Sequence, residues 1–243
     1  MDAIEIKSLT KRFKNRLAVD DLNLTVRKGE FFALLGQNGA GKTTTIRMLC
    51  CLTEPTSGDA LLLGDSILTH PRAVRQKLNV SPQETAIAPF LSVRENLEFF
   101  GEIYGLGTEA AKRRAETLMK AYGLLDRAND KAKTLSGGFQ RRLSIAIGLV
   151  SDPEILFLDE PTLGLDVRAR RELWKDLSAL KGKKTIVLTT HYLEEAAALA
   201  DRIAILDGGR LKALGTLQEL KTATGKDDLE EIFLSLTEGG LDA

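Results

Sequence analysis

The sequence predicts an α/β fold with a mainly parallel sheet, a β-rich opening and a helical insertion in mid-chain. Three observations carry that expectation. The runs "EFFALLG", "EILFLDE", "KTIVLTTH" and "RIAILDGG" are almost continuously apolar, the pattern of strands buried on both faces. Helical stretches such as "VRARRELWKDLSAL" separate the later runs, and strands that alternate with helices build a parallel sheet. Finally, "EFFALLG" ends in a glycine-rich turn that leads straight into a helix.

Taken in order, "AIEIKSL" from Ala3 and "NLTVR" from Asn23 alternate with period two and read as strands. The buried strand Glu30 to Gly36 follows, then a helix from about Lys42 to Leu52. From about Glu84 to Lys133 the chain becomes helical and charged, with "SVRENLEFFGEIYG" and "TEAAKRRAETLMKAYG". Ser92 and Glu95 have the capping-box spacing, which gives the first of these helices a defined start. Phe90, Phe99 and Phe100 in this region suit either a core or a docking surface. Beyond "LSGGFQRRLSIAIGLV" the buried strands return, and "ILDGGRLKAL" reads as an antiparallel hairpin turning at Asp207 to Gly209.

The chain of 243 residues is long enough to bury a sizeable core, and its 43% hydrophobic and 28% charged residues are those of a soluble globular protein. Lysine plus arginine equals aspartate plus glutamate at 34 each, so there is no basic excess of the kind a nucleic-acid binder shows. Cys50 and Cys51 are neighbours in an apolar stretch and read as small core residues in a reducing compartment. No apolar run approaches the roughly 18 residues that span a bilayer, so any role at a membrane is expected to come through a partner.

"GQNGAGKTT", Gly36 to Thr44, matches G-x-x-x-x-G-K-[ST] between a buried strand and a helix, the context of a phosphate loop. Gly36, Gly39 and Gly41 let the backbone curl around a phosphate; Lys42 is expected to bridge its β and γ oxygens, and the Thr43 hydroxyl to ligate Mg²⁺. "ILFLDE" supplies two acids at the end of another buried strand. Asp159 is expected to hold the metal. Glu160 points the other way and is free to act as general base on water. His191, at the end of "TIVLTT", is placed to contact the γ-phosphate or hold that water and Glu160. A second phosphate-binding helix start, "LSGGFQRRLS", stands about a hundred residues after the first.

Together, "GQNGAGKTT", "LSGGF", "ILFLDEPTLGLD" and "LTTH" resemble the ATP-binding subunit of an ABC transporter, in the family's order and over nearly the whole chain. The resemblance implies the ABC ATPase fold as a single domain. Its core, with an antiparallel β subdomain, would take about 1–82 and 152–225, its helical signature subdomain 84–151 and its tail 226–243. It implies ATP and Mg²⁺ as cofactors and ATP hydrolysis that powers a separate transmembrane permease from the cytoplasmic face of the membrane. Residues 36–44, that is Gly36, Gln37, Asn38, Gly39, Ala40, Gly41, Lys42, Thr43 and Thr44, would bind ATP, with Phe13 stacked on adenine. Gln83 would reach Mg²⁺ and couple to the permease. In the family two cassettes associate head to tail, so Ser136, Gly137 and Gly138 would cover the γ-phosphate on the partner's Lys42, and Asp166 would cross the interface. That accounts for two phosphate-binding helix starts in one chain. It also requires a second copy or a related ATPase subunit.

One residue departs from the pattern: Phe139 stands where the signature most often has glutamine. With "QRR" after it, and with the ending "LEEIFLSLT", the chain is similar to the subgroup that powers drug and sodium exporters. The alternative is a soluble ABC-type ATPase acting on ribosomes or DNA. Such relatives usually carry a second cassette, long coiled coils or zinc sites, and the sequence has none of these. A kinase or GTPase on the same loop leaves "LSGG" unexplained.

Overall fold

The computed structural model describes residues 2–237; the expected tail is therefore described to Thr237, and 238–243 lie outside the described residues. In chain order the elements are β1 (Asp2–Phe13), β2 (Arg16–Arg27), β3 (Phe31–Leu35), α1 (Lys42–Leu49), β4 (Ser57–Leu62), β5 (Asp65–Ser66), α2 (Pro71–Lys77) and β6 (Leu78–Ser81). There follow α3 (Val93–Ile103), α4 (Thr108–Ala121), α5 (Gly137–Gly148), β7 (Ile155–Asp159) and α6 (Val167–Ser178). The chain goes on through β8 (Thr185–Thr190), α7 (Leu193–Leu199), β9 (Arg202–Asp207), β10 (Arg210–Gly215), α8 (Leu217–Thr224) and α9 (Leu229–Thr237). Two compact units emerge. One takes the described residues up to Lys77 with those from Lys181 onward; the other is Leu78–Leu180.

The first unit holds two sheets. One is antiparallel, in the order β2-β1-β4-β5. It confirms the β-rich opening, but both opening strands run twelve residues and irregular register punctuates their pairing. In the other sheet β3 lies parallel to both β8 and β9, and β10 closes on β9 as the expected antiparallel hairpin. Its turn places Gly208 and Gly209 at φ 55° and 82°, the two positive angles that a tight hairpin needs. Every residue of β3 and of β8 is buried, as their continuous apolar runs predict. Alternate residues Ala33, Leu35, Ile203 and Ile205 face one core with Ala196 of α7, Leu220 of α8 and Leu229, Ile232 and Phe233 of α9. The tail helix is thus part of this unit's core.

In the second unit β6 and β7 pair in parallel, and β7 is buried at all five positions. Helix α3 starts on the expected capping box: the Glu95 N–H donates to Ser92 Oγ at 3.2 Å, and the Ser92 N–H donates to Glu95 Oε2 at 2.7 Å. These bonds from Ser92, with help from Lys131, hold the Glu95 carboxyl below its ordinary range. Helix α3 turns Val93, Asn96, Leu97 and Gly101 inward. Phe90 and Phe99 are left exposed, at 71% and 47%, so for these two the core reading is excluded. Helix α1 ends earlier than the expected Leu52. Cys50 caps it, and Cys51 at φ 55° turns the chain away. Cys50 is buried; burial also raises the pKa of the half-buried Cys51 thiol.

Candidate functional site

The glycine loop occupies the carboxyl end of β3. Leu35 is paired with Thr190 of β8, and the Gly36 N–H donates to the Thr190 carbonyl at 3.3 Å. The parallel register therefore brings the loop and His191 to the same sheet edge. His191 is half-buried there, its ring tilted against Tyr192 at 4.2 Å between centroids.

Within the loop Gly39 and Gly41 lie at φ 88° and 99°, which a side chain would strain. At Gly41 space forbids one as well, because a Cβ would lie 2.5 Å from the Ala18 carbonyl oxygen. Lys42 is 6% exposed, and its ammonium donates to the carbonyls of Gly36 at 2.7 Å and Gln37 at 3.2 Å. The loop thus wraps its own cation. Gln37, Asn38, Gly39 and Thr43 are exposed around it, Ala40 is buried and Thr44 is half-buried. The β1–β2 hairpin serves the same place: Phe13 pairs with Arg16, whose Nη2 donates to the Gly39 carbonyl at 3.2 Å. Phe13 is 48% exposed, with Lys11 over its ring at 5.0 Å, so it is an open aromatic face and no core residue.

Helix starts set the two glycine motifs apart from the others, except α2, which also lacks a first-turn acid but opens on Pro71 and so has one N–H fewer to offer. The starts of α3, α6 and α8 are closed by the side chains of Ser92, Asp166 and Thr216. Helices α4 and α7 carry acids in their first turn. Helix α1 follows Gly41, and α5 follows Ser136, with neither a capping side chain nor a first-turn acid. A helix start of this kind offers its positive end to an anion. At α5, Ser136 and Gly137 are exposed, and a Cβ built on Gly137 meets nothing within 4 Å. Gly138 lies against Ala169 of α6.

In the second unit Asp159 and Glu160 stand at the end of β7, each 5% exposed. Glu160 has φ 48°, a left-handed conformation rare for a side-chain-bearing residue and costing of order 1–3 kcal/mol. Gln83 is exposed after β6, and Asp166 is exposed while its Oδ1 accepts from the Ala169 N–H at 2.9 Å. No cluster of three or more His, Cys, Asp or Glu able to hold a metal occurs among the described residues.

Sequence reasoning missed several residues at these motifs. Gln140 Nε2 ties α5 back to the carbonyls of Ala132 and Leu135, both at 3.2 Å. Phe139 lies 5.9 Å from the Arg127 guanidinium and 5.8 Å from that of Arg142, which also pairs with Glu172 and Asp176 of α6. Arg142, beside the Phe139 ring, therefore ties the signature helix to α6 through its ion pairs. Arg141 is buried beneath them. Its signal was available: 141, 144, 145 and 148 share one helical face, otherwise occupied by Ser144, Ile145 and Gly148.

The family described as ABC transporter matches residues 19–163. A daunorubicin resistance ATP-binding protein of Streptomyces coeruleorubidus is 42% identical over 232 residues, covering 95% of this chain and 73% of that protein. Nod factor export ATP-binding protein I of Burkholderia lata is 42% identical over 231 residues, covering 95% and 76%. A dimeric ATP-binding cassette solved in a post-hydrolysis state with ADP and phosphate has a TM-score of 0.79 at 28% identity, covering 88% of this chain and 98% of that one.

Proposed function

The chain belongs to the ABC transporter family, as an ATP-binding and ATP-hydrolysing subunit, and from that premise we propose how its residues divide the work of driving an exporter. The observation that carries the reading is the pair of bare helix starts, α1 behind the Lys42 loop and α5 behind Ser136. The loop from Gly36 to Thr44 cradles the triphosphate, Lys42 neutralises its β and γ oxygens, and Phe13 offers its open face to the adenine. Mg²⁺, held by the Thr43 hydroxyl, Asp159 and Gln83, would neutralise phosphate charge. Glu160 takes the proton of the attacking water, and His191 orients that water. Ser136, Gly137 and Gly138 meet the γ-phosphate held by a second subunit, with Asp166 at the interface, so ATP closes the pair and hydrolysis releases it.

In this proposal the chain works as one ABC ATPase domain beside a separate permease, at the cytoplasmic face of the membrane. Among the described residues no helix is long and apolar enough to cross a bilayer, and the exposed Phe90 and Phe99 give the permease an apolar surface near Gln83 in sequence. The Glu160→Gln variant tests both halves. It is expected to keep ATP affinity, to lose roughly 10²–10⁴ in turnover, and to stay in the closed pair. A tagged copy pulled down with Mg-ATP from detergent-solubilised membranes should bring a multi-spanning protein in near-equal amount. Near-normal turnover would remove Glu160 from the base role. Recovery of ribosomes or DNA-associated proteins, with nothing membrane-bound, would replace the exporter with a soluble ATPase.

A further inference from the structure

We infer that Arg141 is a positioning residue for hydrolysis, fixing the backbone that aims Glu160 and tying it to the loop that bears Gln83. The inference rests on the reading of Glu160 as general base. Arg141 is 4% exposed on the inner face of α5. A guanidinium has five N–H donors in a rigid plane, and here the fork meets five backbone carbonyls. Nε donates to Pro161 at 2.6 Å, and Nη2 donates to Glu160 at 2.6 Å and Asp159 at 3.0 Å. Nη1 donates to Pro82 at 2.5 Å and Gln83 at 3.3 Å.

Three of these acceptors are consecutive and bracket Glu160, the residue at φ 48°. A strained conformation persists only where its surroundings over-determine it, and bonds on both sides of Glu160 do so. The peptide planes that direct the carboxylate are thus set by one buried cation through charge-assisted bonds. The remaining two acceptors belong to the Gln83 loop. A shift of that loop pulls on the same rigid plane, so a movement at Gln83 is felt at Glu160 without any contact between their side chains. The helix itself is anchored one turn on, where Ser144 Oγ and Ser81 Oγ lie 3.1 Å apart. Lysine could not replace the fork, because an ammonium has three donors and no plane.

The test compares Arg141→Lys and Arg141→Gln with Glu160→Gln and with the double variant Arg141→Lys/Glu160→Gln. In folded Arg141 variants, kcat should fall roughly ten- to a hundredfold, as misplacement of a reacting group does, while ATP affinity by nucleotide titration stays within about twofold. If Arg141 acts through Glu160, the double variant should be no slower than Glu160→Gln alone. Wild-type kcat in an Arg141 variant, or losses that multiply in the double variant, would overturn the inference and leave the general base intact. Wild-type turnover in Glu160→Gln would instead remove the base reading, and the inference with it. Should neither Arg141 variant fold, the wild-type protein decides by NMR. A slowly exchanging Arg141 Nε–H signal that shifts in Glu160→Gln is expected; exchange as fast as that of exposed arginines would overturn it.

Discussion

At the scale of single residues, placement was legible where a motif demands one side chain, and hidden where a side chain serves the backbone. Lys42 could be read because the loop pattern requires a cation at its end, and the structure buries that ammonium among the loop's own carbonyls. Lys42→Ala should weaken ATP binding by at least about tenfold, since a buried charge-assisted contact is worth about 1.5–3 kcal/mol. Nucleotide titration checks it, and unchanged affinity would count against the cradle. Arg141 left no such mark, because carbonyls are its partners and carbonyls have no sequence. Asp166 shows the mixed case. Its expected place is at an interface, yet its observed bond caps its own helix, so substituting it would perturb α6 as well as any partner.

At the scale of elements, fully buried strands and capped helices were readable, since both write their environment into local pattern. Strands β3, β7 and β8 are buried throughout, and α3 begins at Ser92 as its capping box dictates. The short strands β4 and β6 were not read. Strand β4 is made by pairing with β1, Ile4 opposite Leu62, and a non-local partner leaves no periodicity behind. The tail helix α9 was noticed only as a likeness to a subgroup, but its Ile232 is wholly buried against β3 and β9. Ile232→Ala should therefore cost about 2–5 kcal/mol, as large-to-small core changes do. Chemical denaturation of the purified chain measures it. A loss within the range of ordinary surface substitutions would mean that α9 is dispensable to the unit it packs on.

At the scale of the whole molecule, the two bare helix starts make a claim about chain count that can be tested by mixing. If each ATP is shared between two subunits, a chain lacking Lys42 still has a sound signature, and a chain damaged at Gly137 still has a sound loop. Gly137→Asp suits this purpose. A side chain there meets open space, and a carboxylate in the first turn favours the helix dipole, so the fold should be unharmed while the partner's γ-phosphate is repelled. Each variant alone should be inactive. In a one-to-one mixture half of the pairs join unlike chains, and each such pair holds one intact site and one doubly damaged one. Turnover should then recover to about a quarter of the wild-type rate in a symmetric two-chain assembly. A mixture no faster than its components would show that each chain completes its own site. The start of α5 would then need another ligand.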